Sequence, residues 1–377
     1  MHRIIRIIAA FMLTSVLLIC GAFPCSADPA EPVQQMQDTL NTLDIPADAE
    51  EALRDTGMDP GDPNAAAALT PDTFLQKLEQ TALDELTAPL RLCRALLALT
   101  VLNALLGSLG DTAANSSVRR IFDLLCTVIC ISAAARPVCT CLTRTADTLT
   151  QAQGFMAGFV PVFAAFLAAG GSVAGSAAYQ TFVLFLTETV MQLTNGILFP
   201  LLLAGTAAGI ADAADPQLRL GHLVSGLRGA VTWILGTVMA LFSALLSVRS
   251  FVASAADSLA AKSFRLLTSG MIPIVGSAVS EACSTVQGSI RLLRNGTGAL
   301  GILVIIWLTV PPLLSLLMYR LVFRIMQIFS DMAGAEPLSR LYRNMQSVLA
   351  AAFAMLVCSA VMLIVSGAVM LLLTGSA

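Results

Sequence analysis

Apolar runs about as long as a bilayer is thick alternate along this chain with short polar stretches. Crossing the hydrocarbon layer takes about 20 mostly apolar residues in a helix. Eight segments approach that length: residues 92–109, 118–135, 155–178, 181–211, 230–248, 271–286, 297–318 and 348–373. They are unequal in character. The segment 181–211 is interrupted by Glu188, Gln192, Asn195, Gly196 and Pro200, the segment 271–286 is short and carries Glu281, and the segment 297–318 holds Pro311-Pro312. The pattern predicts an all-α, polytopic membrane protein with about six to eight transmembrane segments, because a helix satisfies its own backbone in lipid.

Composition supports this. Only 12% of the 377 residues are charged and 56% are hydrophobic. A soluble domain carries about 25% charged residues, twice the share available here to cover a wetted surface. The net charge of −3 offers neither a basic patch for nucleic acid nor an acidic tail. The two histidines, His2 and His222, lie far apart, which argues against histidine triads and multi-histidine metal sites. No phosphate-binding glycine loop is present, so no cofactor is expected.

The N-terminus reads as a signal peptide over residues 1–27. Arg3 and Arg6 precede an apolar core at residues 7–21, and Cys25-Ser26-Ala27 supplies small residues for cleavage before Asp28. An uncleaved anchor helix is the alternative. Residues 28–87 then form an acidic, proline-rich leader, expected outside the cytoplasm and too poor in apolar residues for a core of its own. Within it, Thr70-Pro71-Asp72 predicts a helix start with proline at the first helical position. The leader is either a docking arm for a partner or a tail without one. Residues 88–377 make up the multi-pass domain.

Basic residues in short loops set orientation. Arg119 and Arg120 suit a first cytoplasmic loop. Further on, Arg249, Lys262, Arg265, Arg291 and Arg294 form one basic stretch, and Arg320, Arg324, Arg340 and Arg343 form another. Both favour the cytoplasm, yet one strong apolar segment separates them. Either the Pro311-Pro312 helix breaks and returns, or residues 271–286 cross the membrane. Residues 251–267 are amphipathic and suit an interfacial helix or a packed connector.

Two elements look alike. Gly158-Phe159-Val160-Pro161-Val162 matches Gly270-Met271-Ile272-Pro273-Ile274, and small residues follow both, among them Gly170 and Gly171 in one copy and Gly276 in the other. Proline disrupts a helix and small residues let backbones approach, so the pair predicts an internal repeat of Gly/Pro-broken helices around a central site. The candidate structural or pore residues are therefore Gly158, Pro161, Gly170, Gly171, Glu188, Gly270, Pro273, Gly276 and Glu281. For Glu188 and Glu281 a helix–helix hydrogen bond or an interfacial position competes with a polar lining. Cys126, Cys130, Cys139 and Cys141 do not follow paired metal-ligand spacing and read as small apolar residues. Trp233, Trp307, Tyr319 and Tyr342 read as interface anchors. With no zinc-protease motif and no recognisable aspartate pair, no catalytic residue is expected.

The leader, the Gly158–Val162 element, the run through Gly175 to Gln180 and the stretch Gly270–Ser280 continuing through Val286–Ser289 to Leu292–Asn295 resemble the stage III sporulation protein AE family. The residues from Asp331 to Pro337 depart from that pattern. The resemblance implies a non-enzymatic, permease-like subunit in the mother-cell membrane around the forespore. It implies partners among other membrane proteins of a trans-envelope channel or secretion-like complex, with no nucleic acid. The alternative is an autonomous secondary transporter of a small solute.

Overall fold

The computed structural model describes residues 45–55, 71–112, 116–169, 173–214, 220–268 and 276–373. The described residues form helices: α1 (Ala47–Asp55), α2 (Pro71–Thr112), α3 (Ser116–Ala169), α4 (Val173–Leu193), α5 (Phe199–Ala214), α6 (Gly221–Thr268), α7 (Gly276–Met332) and α8 (Glu336–Leu373). Among the described residues six stretches are long and apolar enough to cross a membrane: Glu79–Leu105, Leu124–Ala165, Tyr179–Ala214, Gly221–Ser247, Thr297–Met332 and Glu336–Ala368. This is the multi-pass α-helical architecture expected from the apolar runs.

The boundaries differ from the runs in an instructive way. α2 begins at Pro71, where the sequence places a helix start, and continues unbroken into its span. The runs 118–135 and 155–178 mostly merge into α3, whose apolar stretch of 42 residues extends about 63 Å at 1.5 Å per residue, twice a hydrocarbon layer of about 30 Å. α7 passes through Pro311 and Pro312 as one helix, so of the two alternatives the break and return does not occur. Pro161 likewise lies inside α3, and the helix is not broken there. In lipid a backbone opened by proline finds no water to replace its lost bonds, so continuing the helix costs less than leaving it. Residues 251–267 continue α6 and are not a separate surface helix.

A register slip occurs at Asn195-Gly196. Residues Thr194–Leu198 form a π-helical turn, and Phe199 N–H reaches the carbonyl of Thr194. Pro200 has no N–H to give the Gly196 carbonyl, and the ladder shifts by one residue to accommodate it. α4 and α5 thereby join into one interrupted span.

α7 and α8 form an antiparallel pair at the centre. Their turn is a Schellman motif: Gly334 takes φ 68°, Ala335 N–H bonds the Ser330 carbonyl at 3.0 Å, and Gly334 N–H bonds the Asp331 carbonyl at 3.3 Å. Ser330 Oγ donates to the Ala335 carbonyl at 2.9 Å, and the Ser339 hydroxyl donates to Asp331. The residues from Asp331 to Pro337 thus build a helical hairpin turn.

Among the described residues two large apolar clusters fill the interior, with a small third of Leu186, Val190, Phe242 and Met362. The larger joins α2, α3, α5, α7 and α8 around Leu96, Leu142, Phe323, Tyr342 and Leu356. The other gathers Phe155, Phe159, Phe163, Tyr179, Trp307 and Leu363 with Ala49 and Leu53 of α1. Trp307, Tyr319 and Tyr342 are buried core residues, and only Trp233 is exposed as an interface anchor would be. α1 lies over the second cluster and Lys77 of α2 pairs with its Asp55.

Close approach of α3 and α7 depends on Gly301. A Cβ there would sit 2.3 Å from Cζ of Phe159, whose ring stacks between Phe155 and Phe163 at centroid distances of 5.4 and 5.6 Å. Gly301→Ala is expected to destabilise the detergent-solubilised protein by about 1–3 kcal/mol through overpacking. Combining it with Phe159→Ala should cost less than the sum of the two single changes, read as melting temperatures in a double-mutant cycle. Strict additivity would show that the two residues do not share this contact.

Candidate functional site: polar layers inside the bundle

An ionisable side chain carried into an apolar bundle needs a partner, and such residues mark function more often than structure alone demands. Glu85 of α2 is one. Its carboxylate pairs with Arg144 Nη1 of α3 at 2.7 Å and accepts from Ser315 Oγ of α7 at 2.7 Å. The Glu85 side chain is 16% exposed and that of Arg144 48%, so the pair sits at the wall of the bundle with the carboxylate turned inward. Buried Cys141 and Tyr319 lie one turn away along α3 and α7. Three helices therefore meet at a single carboxylate.

A second polar contact lies further along the same helices. Tyr342 of α8 touches Thr100 Oγ1 of α2 at 3.1 Å and Cys130 Sγ of α3 at 3.7 Å, while Thr100 donates its own proton to the Leu96 carbonyl at 2.8 Å. Cys126 and Cys130 are buried on α3, and the cysteines from 93 to 141 and Cys358 are free thiols.

A third centres on buried Asp212 near the end of α5. It accepts from the Gly221 N–H at 2.8 Å and from Asn344 Nδ2 at 3.1 Å, and Asn344 also donates to the Gly209 carbonyl at 3.3 Å. The carboxylate thus caps the first residue of α6, where the helix dipole favours negative charge, and ties α8 to both. Gly209 is needed for this approach, since a Cβ there would lie 2.9 Å from the Asn344 Cβ.

Of the residues singled out from sequence, Gly158, Pro161 and Glu188 are described with their surroundings, and they stand outside these polar layers. Glu188 is exposed on α4 and accepts from Gln192 Nε2, one turn on, at 3.0 Å. Gly158 is exposed on α3 with open space beside it, and Pro161 is half-buried on the same helix. Gly170, Gly171, Gly270 and Pro273 lie outside the described residues. Gly276 and Glu281 belong to the first turns of α7, whose side-chain surroundings are also outside them. Gly158 and Pro161 fall within α3, and the similar element from Gly270 to Ile274 lies outside the described residues.

Comparison with known proteins converges on one family. The profile described as Stage III sporulation protein AE (spore_III_AE) matches residues 64–374. The chain belongs to the stage III sporulation protein AE family. Its relative of that name from Bacillus subtilis (strain 168) is 21% identical over 299 residues, covering 79% of this chain and 75% of the relative. No solved structure matches. The matched region takes in α2 to α8 and hence all three polar layers of this family member, while α1 precedes it.

Glu85 and Asp212 carried a sequence signal that a composition-based boundary hid. Glu85 follows Pro71 by less than four turns and precedes the run at 92–109 without any helix breaker except Pro89, which the helix absorbs. Asn344 and Ser315 gave none, because polar residues of that size are common in spans and only the packing reveals their partners.

Arg144→Gln leaves the Glu85 carboxylate with one hydroxyl partner. The expected loss is about 1–3 kcal/mol, towards the lower end because Arg144 is partly solvated. Glu85→Gln in the same chain should restore part of the loss, and Arg144→Lys should retain most of the stability. Thermal unfolding in detergent reads all three, and a double variant no better than Arg144→Gln would remove the pair from the account.

Proposed function

We propose that this chain is a non-enzymatic membrane subunit of a trans-envelope complex between mother cell and forespore, needed for late forespore development. The family supplies the sporulation role. The observation that favours a subunit over an autonomous solute transporter is the filled interior: Trp307, Tyr179, Tyr342, Phe163 and Phe323 are fully buried where the helices converge. A conduit built by such a chain lies between it and its neighbours in the assembly, not through its own centre.

The same reading gives an orientation. The turn at Gly334, the Asp212–Gly221 contact and the basic residues Arg228, Arg320, Arg324, Arg340 and Arg343 gather towards one end of the bundle, and α1 packs against Leu300 and Phe163 at the other. Because α7 is one continuous helix, the two basic stretches fall on opposite sides. The end with the turn faces the cytoplasm, since it gathers the basic ends of several spans. The leader and α1 face the space between the two membranes, with the signal peptide removed.

A clean deletion in the source organism tests the role. Arrest after engulfment with a silent late forespore reporter is the expected result. Normal spores would overturn it. Purified protein in liposomes should move none of a broad panel of solutes, and partner-free flux would instead favour the secondary transporter. A phosphatase domain inserted after Gly334 should be inactive and one inserted before Ala47 active, and the reverse pattern would invert the orientation.

A further inference from the structure

An open groove of about 480 Å³ runs between α6 and α8, lined by Ser225, Arg228, Gly229, Thr232, Trp233 and Ser347. Its place along the spans is fixed by Asp212, which binds both Gly221 at the start of α6 and Asn344 near the start of α8. By helical rise the groove therefore runs from about 6 Å past Gly221 at Ser225 to about 18 Å past it at Trp233, from the start of the α6 span into its acyl-chain depth. Its flanks face lipid: Leu223, Trp233 and Leu241 are exposed along α6, Trp233 at 63%.

The charges at this groove are unmatched. Arg228 is exposed, and its guanidinium has no ion-pair or hydrogen-bond partner among the described residues. Arg343 is exposed one turn before Ser347 on α8, within a side chain's reach, and is equally unpaired. The hydroxyls of Ser225 and Thr232 donate to the carbonyls of His222 and Arg228 at 2.9 Å each, which leaves the Ser347 hydroxyl as the available donor. Gly229 has open space where a Cβ would stand, so the α6 backbone is bare at the middle of the groove. Two guanidinium groups and a free hydroxyl towards the start of the span, with an exposed indole deeper along it, match a phosphate attached to acyl chains. Guanidinium binds phosphate through paired donors, and basic pockets between spans hold anionic headgroups.

We propose that the α6–α8 groove binds an anionic membrane phospholipid, with Arg228, Arg343 and Ser347 on its phosphate and Trp233 beside its acyl chain. The assignment is independent of the reading as a complex subunit. It gives the bundle a fixed lipid at one edge and couples the position of α6 to that of α8.

The two tryptophans make the test direct, since Trp307 is buried and Trp233 stands on the groove. The full chain is reconstituted in mixed vesicles in which either phosphatidylglycerol or phosphatidylcholine carries brominated chains at equal content. Brominated phosphatidylglycerol is expected to quench Trp233 at a mole fraction at least about fivefold lower, the preference that one arginine near a membrane surface supplies. Arg228→Gln/Arg343→Gln should remove the preference, and Arg94→Gln, an exposed arginine on α2, should keep it. Size-exclusion chromatography confirms that each variant is folded. Equal quenching by both lipids, or a preference unchanged in the double variant, overturns the proposal. Relief of quenching by soluble glycerol phosphate at low concentration also overturns it, by assigning the groove to a free phosphate ester.

Discussion

Polar groups that this chain buries among its helices are costly without a partner, and the arrangement of the helices follows from how those partners are supplied. Most backbone groups are satisfied by helices that run on through Pro137, Pro161, Pro311 and Pro312, each proline costing a single ladder bond. Threonine hydroxyls turn back on their own helix, as Thr145 does to Cys141 and Thr309 to Ile305, each at 2.8 Å. Carboxylates, Tyr342 and Asn344 instead reach across to other helices. Glu85 and Asp212 each hold three segments of chain together, and each does so with one contact to α7 or α8. The central hairpin is thus both the apolar core and the source of polar partners.

Small residues make that sharing geometrically possible. Gly301 receives the Phe159 ring, Gly209 admits Asn344, and Gly367 lies against Ile302 with only 3.2 Å to spare for a Cβ. Without a hydrophobic drive between helices in lipid, such close contact supplies the dispersion energy that holds a bundle together. The phenylalanine ladder on α3 and the Schellman turn of the hairpin then fix how α3, α7 and α8 face one another.

Much of this was legible in the sequence, for physical reasons that differ by residue. The spans announce themselves through length and apolar content, and Pro71 marks the start of α2 because a first-turn proline loses nothing by lacking an N–H. The merging of runs into α3 and α7 was not legible. A proline or a short polar gap signals a break in water, and in a packed bundle it does not. Trp307, Tyr319 and Tyr342 look like interface anchors by composition, yet they face neighbouring helices, and a helix apolar all round does not reveal which side is covered. Glu85 was masked by an acidic neighbourhood, because charge density reads as solvated leader until the helix is followed through it.

The sequence separation of these polar contacts has a consequence for biogenesis. Ser315 lies 230 residues beyond Glu85, and Asn344 lies 132 residues beyond Asp212. As the chain emerges from the ribosome, α2 to α6 enter the membrane with both carboxylates still short of a partner. The missing partners come from α7 and α8, later in the chain and joined by a tight turn. A chain truncated before that hairpin therefore leaves Glu85 without Ser315 and Asp212 without Asn344, each carboxylate one partner short inside the bundle, the kind of defect by which a membrane protease can distinguish an unfinished protein from a finished one.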